Sequence, residues 1–133
     1  MATYLLDTNI LIDAINGRAG RPGQLGDFLD RGVLLACTSI NVTEIYMGMR
    51  PHEALATATF LLELEFYPVT WEIARLAGEF FNEWRQRGHT LAIADMTIAA
   101  VCIANGITLV TDNQKHFPMP ELQVRPLPPV LRP

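Results

Sequence analysis

Four acidic side chains stand among hydrophobic neighbours: Asp7 in "TYLLDTNILID", Glu44 in "SINVTEIYMGM", Asp95 in "AIADMTIAA" and Asp112 in "TLVTDNQKHF". An unpaired charge in apolar surroundings is so costly that a carboxylate found there usually caps a helix, pairs with a cation or binds a metal. If the four meet, their repulsion raises their pKa values and opposes folding until something positive neutralises them. A divalent cation does this. All-oxygen donors favour a hard ion, Mg²⁺ or Mn²⁺, and no histidine or cysteine spacing in the chain suggests zinc or copper. Such an ion, still carrying waters, lowers the pKa of a bound water and binds phosphate oxygens, which is the chemistry of phosphodiester hydrolysis.

Each acid also has a plainer reading. Asp7 can cap a short helix beginning at Ile10, and Asp95 can cap the helix that follows it. Glu44 stands three residues after Asn41, the spacing of a capping box, and Asp112 suits a turn. Asp13 falls on another helix face and is expected to be solvated. Around the acids, Asn9 is expected to hold the Asp7 loop by side-chain bonds to backbone. Thr111 would do the same, or orient a metal-bound water. His89 and His116, in loops without a partner motif, read as surface residues. Capping accounts for the acids singly; it leaves unexplained why all four fall at one edge of the inferred sheet.

That edge is set by the elements. Tyr4 to Leu6 reads as a buried strand, Ile10 to Ile15 as one or two helical turns stopped by Gly17, and "GRAGRPG" as a loop. "QLGDFLDRG" is a short helix ending at Gly32, and "VLLACTS" a strand covered on both faces. Ile40 to Met49 turns helical, Pro51 opens a helix reaching about Glu65, and "FYPVT" is a brief strand. The clearest periodicity places Ile73, Leu76, Ala77, Phe80, Phe81 and Trp84 on one helix face, with Gly88 as its stop. "AIADMTIAAVCIANG" is a second helix ending at Gly106, followed by the strands "ITLVT" and "LQVRPL". Alternating strands and helices give an α/β domain with a mainly parallel sheet between helical layers. In such sheets ligands gather beyond the carboxyl ends of the strands, where Asp7 and Asp112 stand.

Composition allows one domain across 1–133, with 126–133 a proline-rich tail. Half of the 133 residues are hydrophobic and 18% are charged, enough for a real core without low-complexity sequence. The net charge of −4 argues against holding nucleic acid by bulk attraction, although arginines such as Arg18, Arg21, Arg85 and Arg87 could form a local phosphate-binding rim. No apolar run has the length of a membrane span and the start lacks the order of a secretory signal, so a cytoplasmic protein away from membranes is expected. Cys37 and Cys102 sit in apolar stretches and read as buried small hydrophobes.

"LLDTNILID", "SINVTEIYMGM" and "IADMTIAAVCIANGITLVTDNQKHF", in that order over nearly the whole chain, resemble the PIN-domain ribonucleases, specifically the VapC toxins of toxin–antitoxin pairs. The resemblance implies a three-layer α/β/α sandwich on a sheet of four to five strands. It also implies Mg²⁺- or Mn²⁺-dependent cleavage of RNA, a homodimer, and inhibition by a VapB-type antitoxin. It matches Asp7 and Asp95 to metal-binding aspartates and Glu44 to the motif glutamate. The fourth position is a threonine, any residue, then Asp or Asn, which puts Asn113 in the slot and Asp112 beside it. Two rivals remain. A haloacid-dehalogenase-type phosphatase wants a second aspartate two residues after the first, where this chain has Asn9. A degenerate PIN-like scaffold would have the fold without the metal.

Overall fold

In the computed structural model, which describes residues 3–130, five short strands form one sheet: β1 (Thr3–Leu6), β2 (Leu34–Thr38), β3 (Glu65–Tyr67), β4 (Thr108–Val110) and β5 (Val124–Arg125). Pro133, the end of the expected tail, lies outside the described residues. The strand order is β3-β2-β1-β4-β5 and every pairing is parallel. The chain builds outward from β1 in one direction, then returns to β1's other side with β4. The carboxyl ends of β1 and β4 therefore flank the point where the winding reverses, the place where open α/β sheets form a crevice.

Side-chain alternation along the strands makes two cores. Leu5, Ala36 and Leu109 point to one face, where they meet Ile73, Ala77 and Phe80 of α5 (Trp71–Gln86) and Met96, Ala99 and Ala100 of α6 (Ile93–Asn105). Leu6, Leu35, Cys37 and Val110 point to the other face. There they pack on Ile10 and Leu11 of α1 (Thr8–Ile15), Leu25 and Phe28 of α2 (Arg21–Asp30), Ile45 of α3 (Ser39–Met47) and Leu61 of α4 (Ala54–Leu62). The result is the expected three-layer α/β/α sandwich. Cys37 and Cys102 are buried and unpaired, as expected.

Several boundaries differ from the sequence reading for local reasons. Helix α2 begins within the stretch read as the loop "GRAGRPG", because Pro22 suits a first helical turn and Gly20, at φ 68°, supplies the left-handed entry. Pro51 opens only a 3₁₀ turn, Pro51–Glu53, and α4 stops at Leu62, short of Glu65. Glu65 instead starts β3, and the strand read as "FYPVT" ends before Pro68, which has no N–H to give the ladder. Thr70 caps α5 by accepting the Ile73 N–H at 3.2 Å. Gly106, left-handed at φ 64°, ends α6 where the sequence placed its stop.

Candidate active site

Asp7 is the first residue past β1. Its N–H still bonds the Val110 carbonyl of β4 at 2.9 Å, and its extended backbone then turns the chain into α1. Oδ1 accepts the Thr8 N–H at 2.8 Å, so Asp7 does cap this helix, which starts at Thr8 and not Ile10. Oδ2 accepts the Thr111 hydroxyl at 2.6 Å. Capping accounts for only part of the position, because the carboxylate also lines a cavity of about 370 Å³ with Thr8, Asn9, Ile12, Glu44, Met47, Asp95, Asn113 and His116.

Glu44 arrives from α3. The cap of that helix is Thr38, and Asn41 serves it from inside, its Oδ1 accepting the Thr38 N–H at 2.9 Å, so an Asn41–Glu44 capping box is not what places Glu44. Asn41 instead donates through Nδ2 to the Thr8 hydroxyl oxygen at 2.9 Å, and that hydroxyl donates to Glu44 Oε1 at 2.7 Å. Asn41 is fully buried and Thr8 nearly so. A relay of hydrogen bonds thus runs from the α3 cap to the glutamate and fixes which way its carboxylate faces.

Asp95 lies in the first turn of α6, whose N-cap is Ala92, so it does not cap that helix. The positive end of the helix dipole favours its charge. Burial works the other way and pushes its carboxyl up to about 6; the negative charges of Asp7 and Glu44 add to the rise, and His116 works against it. His116 Nδ1 stands 3.6 Å from Asp95 Oδ2.

The loop after β4 separates two neighbours. The Asn113 N–H bonds the buried Thr111 oxygen at 3.0 Å, and Asn113 lines the cavity. Asp112 is not among the lining residues; its Oδ2 accepts from Arg21 Nη2 at 2.9 Å. Asp13, expected to be solvated, is a second partner of that buried arginine, at 3.8 Å from Nε. Asn9 is exposed at the cavity rim, and among the described residues no side-chain hydrogen bond ties it to the Asp7 loop. Three acids therefore converge on one hollow and the fourth stands outside it.

Several residues with a part in this geometry escaped the sequence reading. His116 is at the surface as expected, and the 3₁₀ turn Gln114–His116 also folds it against Asp95; a lone histidine in a polar loop gives no signal of that contact. Thr8 and Asn41 look like ordinary helix-start residues, and only the packing of α1 beside α3 makes them a relay. Arg21 carried the expectation of a surface cation and is 1% exposed.

The donors suit a hydrated hard cation. Among the described residues no group of three His, Cys, Asp or Glu side chains is placed to grip a metal ion directly, as a structural zinc site would be. Three carboxyls around one open hollow, one of them raised by burial and by the charges of the other two, match the few direct carboxylates and several waters that Mg²⁺ keeps.

Comparison with known proteins agrees with this fold. The PIN domain family pattern matches residues 4–120. The chain is 31% identical over 120 residues to Ribonuclease VapC19 of Mycobacterium tuberculosis, covering 90% of this chain and 96% of that protein. It is 30% identical over 119 residues to Ribonuclease VapC2 of Rickettsia felis, covering 86% and 89% respectively. Among solved structures, VapBC2 from Rickettsia felis bound to a DNA fragment from their promoter superposes with a TM-score of 0.80 at 28% identity, covering 93% of this chain and 98% of that one. A toxin–antitoxin complex from Klebsiella pneumoniae gives 0.73 at 26% identity, covering 90% and 94%.

Proposed function

The chain belongs to the PIN-domain family, in its VapC branch, and from that premise we propose that residues 1–133 form one domain acting as a Mg²⁺- or Mn²⁺-dependent endoribonuclease, the toxin of a toxin–antitoxin pair. The observation that carries this reading is the convergence of Asp7, Glu44 and Asp95 on one hollow at the winding reversal of the sheet.

In this reading Asp7 and Asp95 would hold the ion, which when bound would supply a water of lowered pKa and positive charge for the phosphoryl oxygens. Thr111 keeps Asp7 turned toward the hollow by bonding one of its oxygens. Glu44, oriented by the Thr8 hydroxyl, would bind the ion through water or take the proton of the attacking water. In-line attack then leaves a 5′-phosphate and a 3′-hydroxyl. Asn113 fills the fourth position as a neutral donor and acceptor.

A VapB-type antitoxin would silence this site by placing an arginine in the acidic hollow, where a guanidinium can fork onto a carboxylate. Leu55 and Leu62 of α4, 82% and 84% exposed, together with Tyr46, Met47 and Phe66, supply apolar surface for that partner or for a homodimer. Phe60 and Leu61 of the same helix face the core instead. Among the described residues no helix is long and apolar enough to cross a membrane, in keeping with action in the cytoplasm.

A degenerate scaffold would share the fold without cutting. The deciding experiment incubates purified protein with RNA in Mn²⁺ or in chelator: the metal reaction is expected to cleave, and Asp7→Asn to lose at least about a hundredfold in rate. Equal cleavage by parent and Asp7→Asn would sink the mechanism.

A further inference from the structure

Adjacent residues Asp112 and Asn113 compete for one position at the hollow, and the structure gives it to the uncharged one. We propose that Arg21 is a positioning residue that holds Asp112 outside the acidic hollow, so that the site carries three carboxylates and Asn113 completes it. The inference rests on the metal-site reading above and deepens it.

Arg21 is a buried cation. Its side chain is 1% exposed at the start of α2. Nη1 donates to the Leu127 carbonyl and to Gln24 Oε1, the latter at 3.0 Å, while Nη2 donates to Asp112 Oδ2 at 2.9 Å. Asp13 stands 3.8 Å from Nε, which has no hydrogen-bond partner. A guanidinium taken out of water this far needs its counter-charges, because removing one partner of a buried pair leaves an uncompensated charge. Asp112 makes the only direct carboxylate hydrogen bond to Arg21 among the described residues. Drawing it into the hollow would strip the arginine of that bond and add a negative charge beside Asp7, Glu44 and Asp95.

The loop is fastened on both sides of the choice. Thr111 bonds Asp7 and receives the Asn113 N–H, so the residue after Asp112 is turned inward while Asp112 is drawn toward α2. The tail secures the arginine in turn. Gln24 Nε2 bonds the Pro128 carbonyl at 2.8 Å, and the Val130 N–H bonds Ala19 at 2.8 Å. Val130 packs so closely on Gly20 that a Cβ there would lie 2.6 Å from it. The strand-end loop, the start of α2 and the tail thus meet on one cation.

The test is Mn²⁺ titration by calorimetry on the intact chain, with no RNA. Asp112→Asn is expected to leave the affinity within about twofold, and Asn113→Asp, which adds a charge in the slot, to tighten it about tenfold. Arg21→Met frees Asp112 and is expected to tighten binding in the same direction, a gain that disappears in Arg21→Met/Asp112→Asn; simple loosening of the loop would not produce it. Weakening of about tenfold in Asp112→Asn, or no gain in Asn113→Asp, overturns the inference even if Arg21→Met fails to fold. A folded Arg21→Met with unchanged affinity overturns it as well. Parent binding that survives Asp95→Asn overturns the metal-site reading itself, and this inference with it.

Discussion

Asp95 is the residue on which charge weighs most. Its carboxyl rises from 3.8 to about 6 on folding, through burial and the nearby Asp7 and Glu44 charges. The folded state therefore holds this proton more tightly than the unfolded chain, and stability falls as pH climbs from about 4 through 6. The full shift corresponds to about 3 kcal/mol. In metal-free protein at pH 7, Asp95→Asn is expected to recover up to about that amount in denaturant melts, and the gain should vanish below pH 4. A second consequence concerns the ion: Mn²⁺ affinity should rise with pH through about 6, with proton release on binding near that pH, seen as a dependence of binding heat on buffer ionisation enthalpy. Asp7 was legible in the sequence because a carboxylate directly after an apolar strand has few explanations. His116 was not, because its contact with Asp95 depends on a turn that polar loop residues do not announce.

At the scale of elements, the end of β1 delivers Asp7, the body of α3 Glu44, the first turn of α6 Asp95 and the loop after β4 Asn113. Helix α3 delivers Glu44 already oriented, through Asn41 and Thr8. Replacing Thr8 with valine keeps the shape, removes the relay and leaves the buried Asn41 amide without its acceptor; RNA cleavage by the folded protein is expected to fall about 10- to 100-fold, with a loss of about 1–3 kcal/mol in denaturant titration. Asn41→Ala strips the Thr38 N–H of its partner in a buried position and should cost about 1–3 kcal/mol by denaturant titration. The helices themselves were readable where apolar spacing was long, as in Ile73 to Trp84, and where glycine set the stop, as at Gly106. Boundaries near Pro22 and Pro51 were not, since proline at a helix start allows either an α-helical or a 3₁₀ turn, and the neighbouring packing decides which.

Over the whole molecule, sheet order creates the site. Asp7 and Asp95 are far apart in sequence, and they share a hollow because β1 and β4 are neighbours at the winding reversal. Alternating strands and helices pointed to a parallel sheet, but not to its strand order, which depends on contacts between distant segments. The trapping of Asp112 by Arg21 depends on three distant segments and left no local mark. The exposed apolar side of α4 belongs to this scale too: if it is the proposed partner surface, Leu55→Asp and Leu62→Asp should leave stability within about 0.5 kcal/mol while abolishing association, read by light scattering for self-association and by co-purification for an antitoxin. The most direct measurement of the central claim is an anomalous difference map from crystals soaked in Mn²⁺. One peak touching the Asp7 and Asp95 carboxylates, absent in Asp95→Asn crystals, is the expected result. A hollow without a peak at saturating Mn²⁺, or a peak bound elsewhere on the chain, would contradict the account.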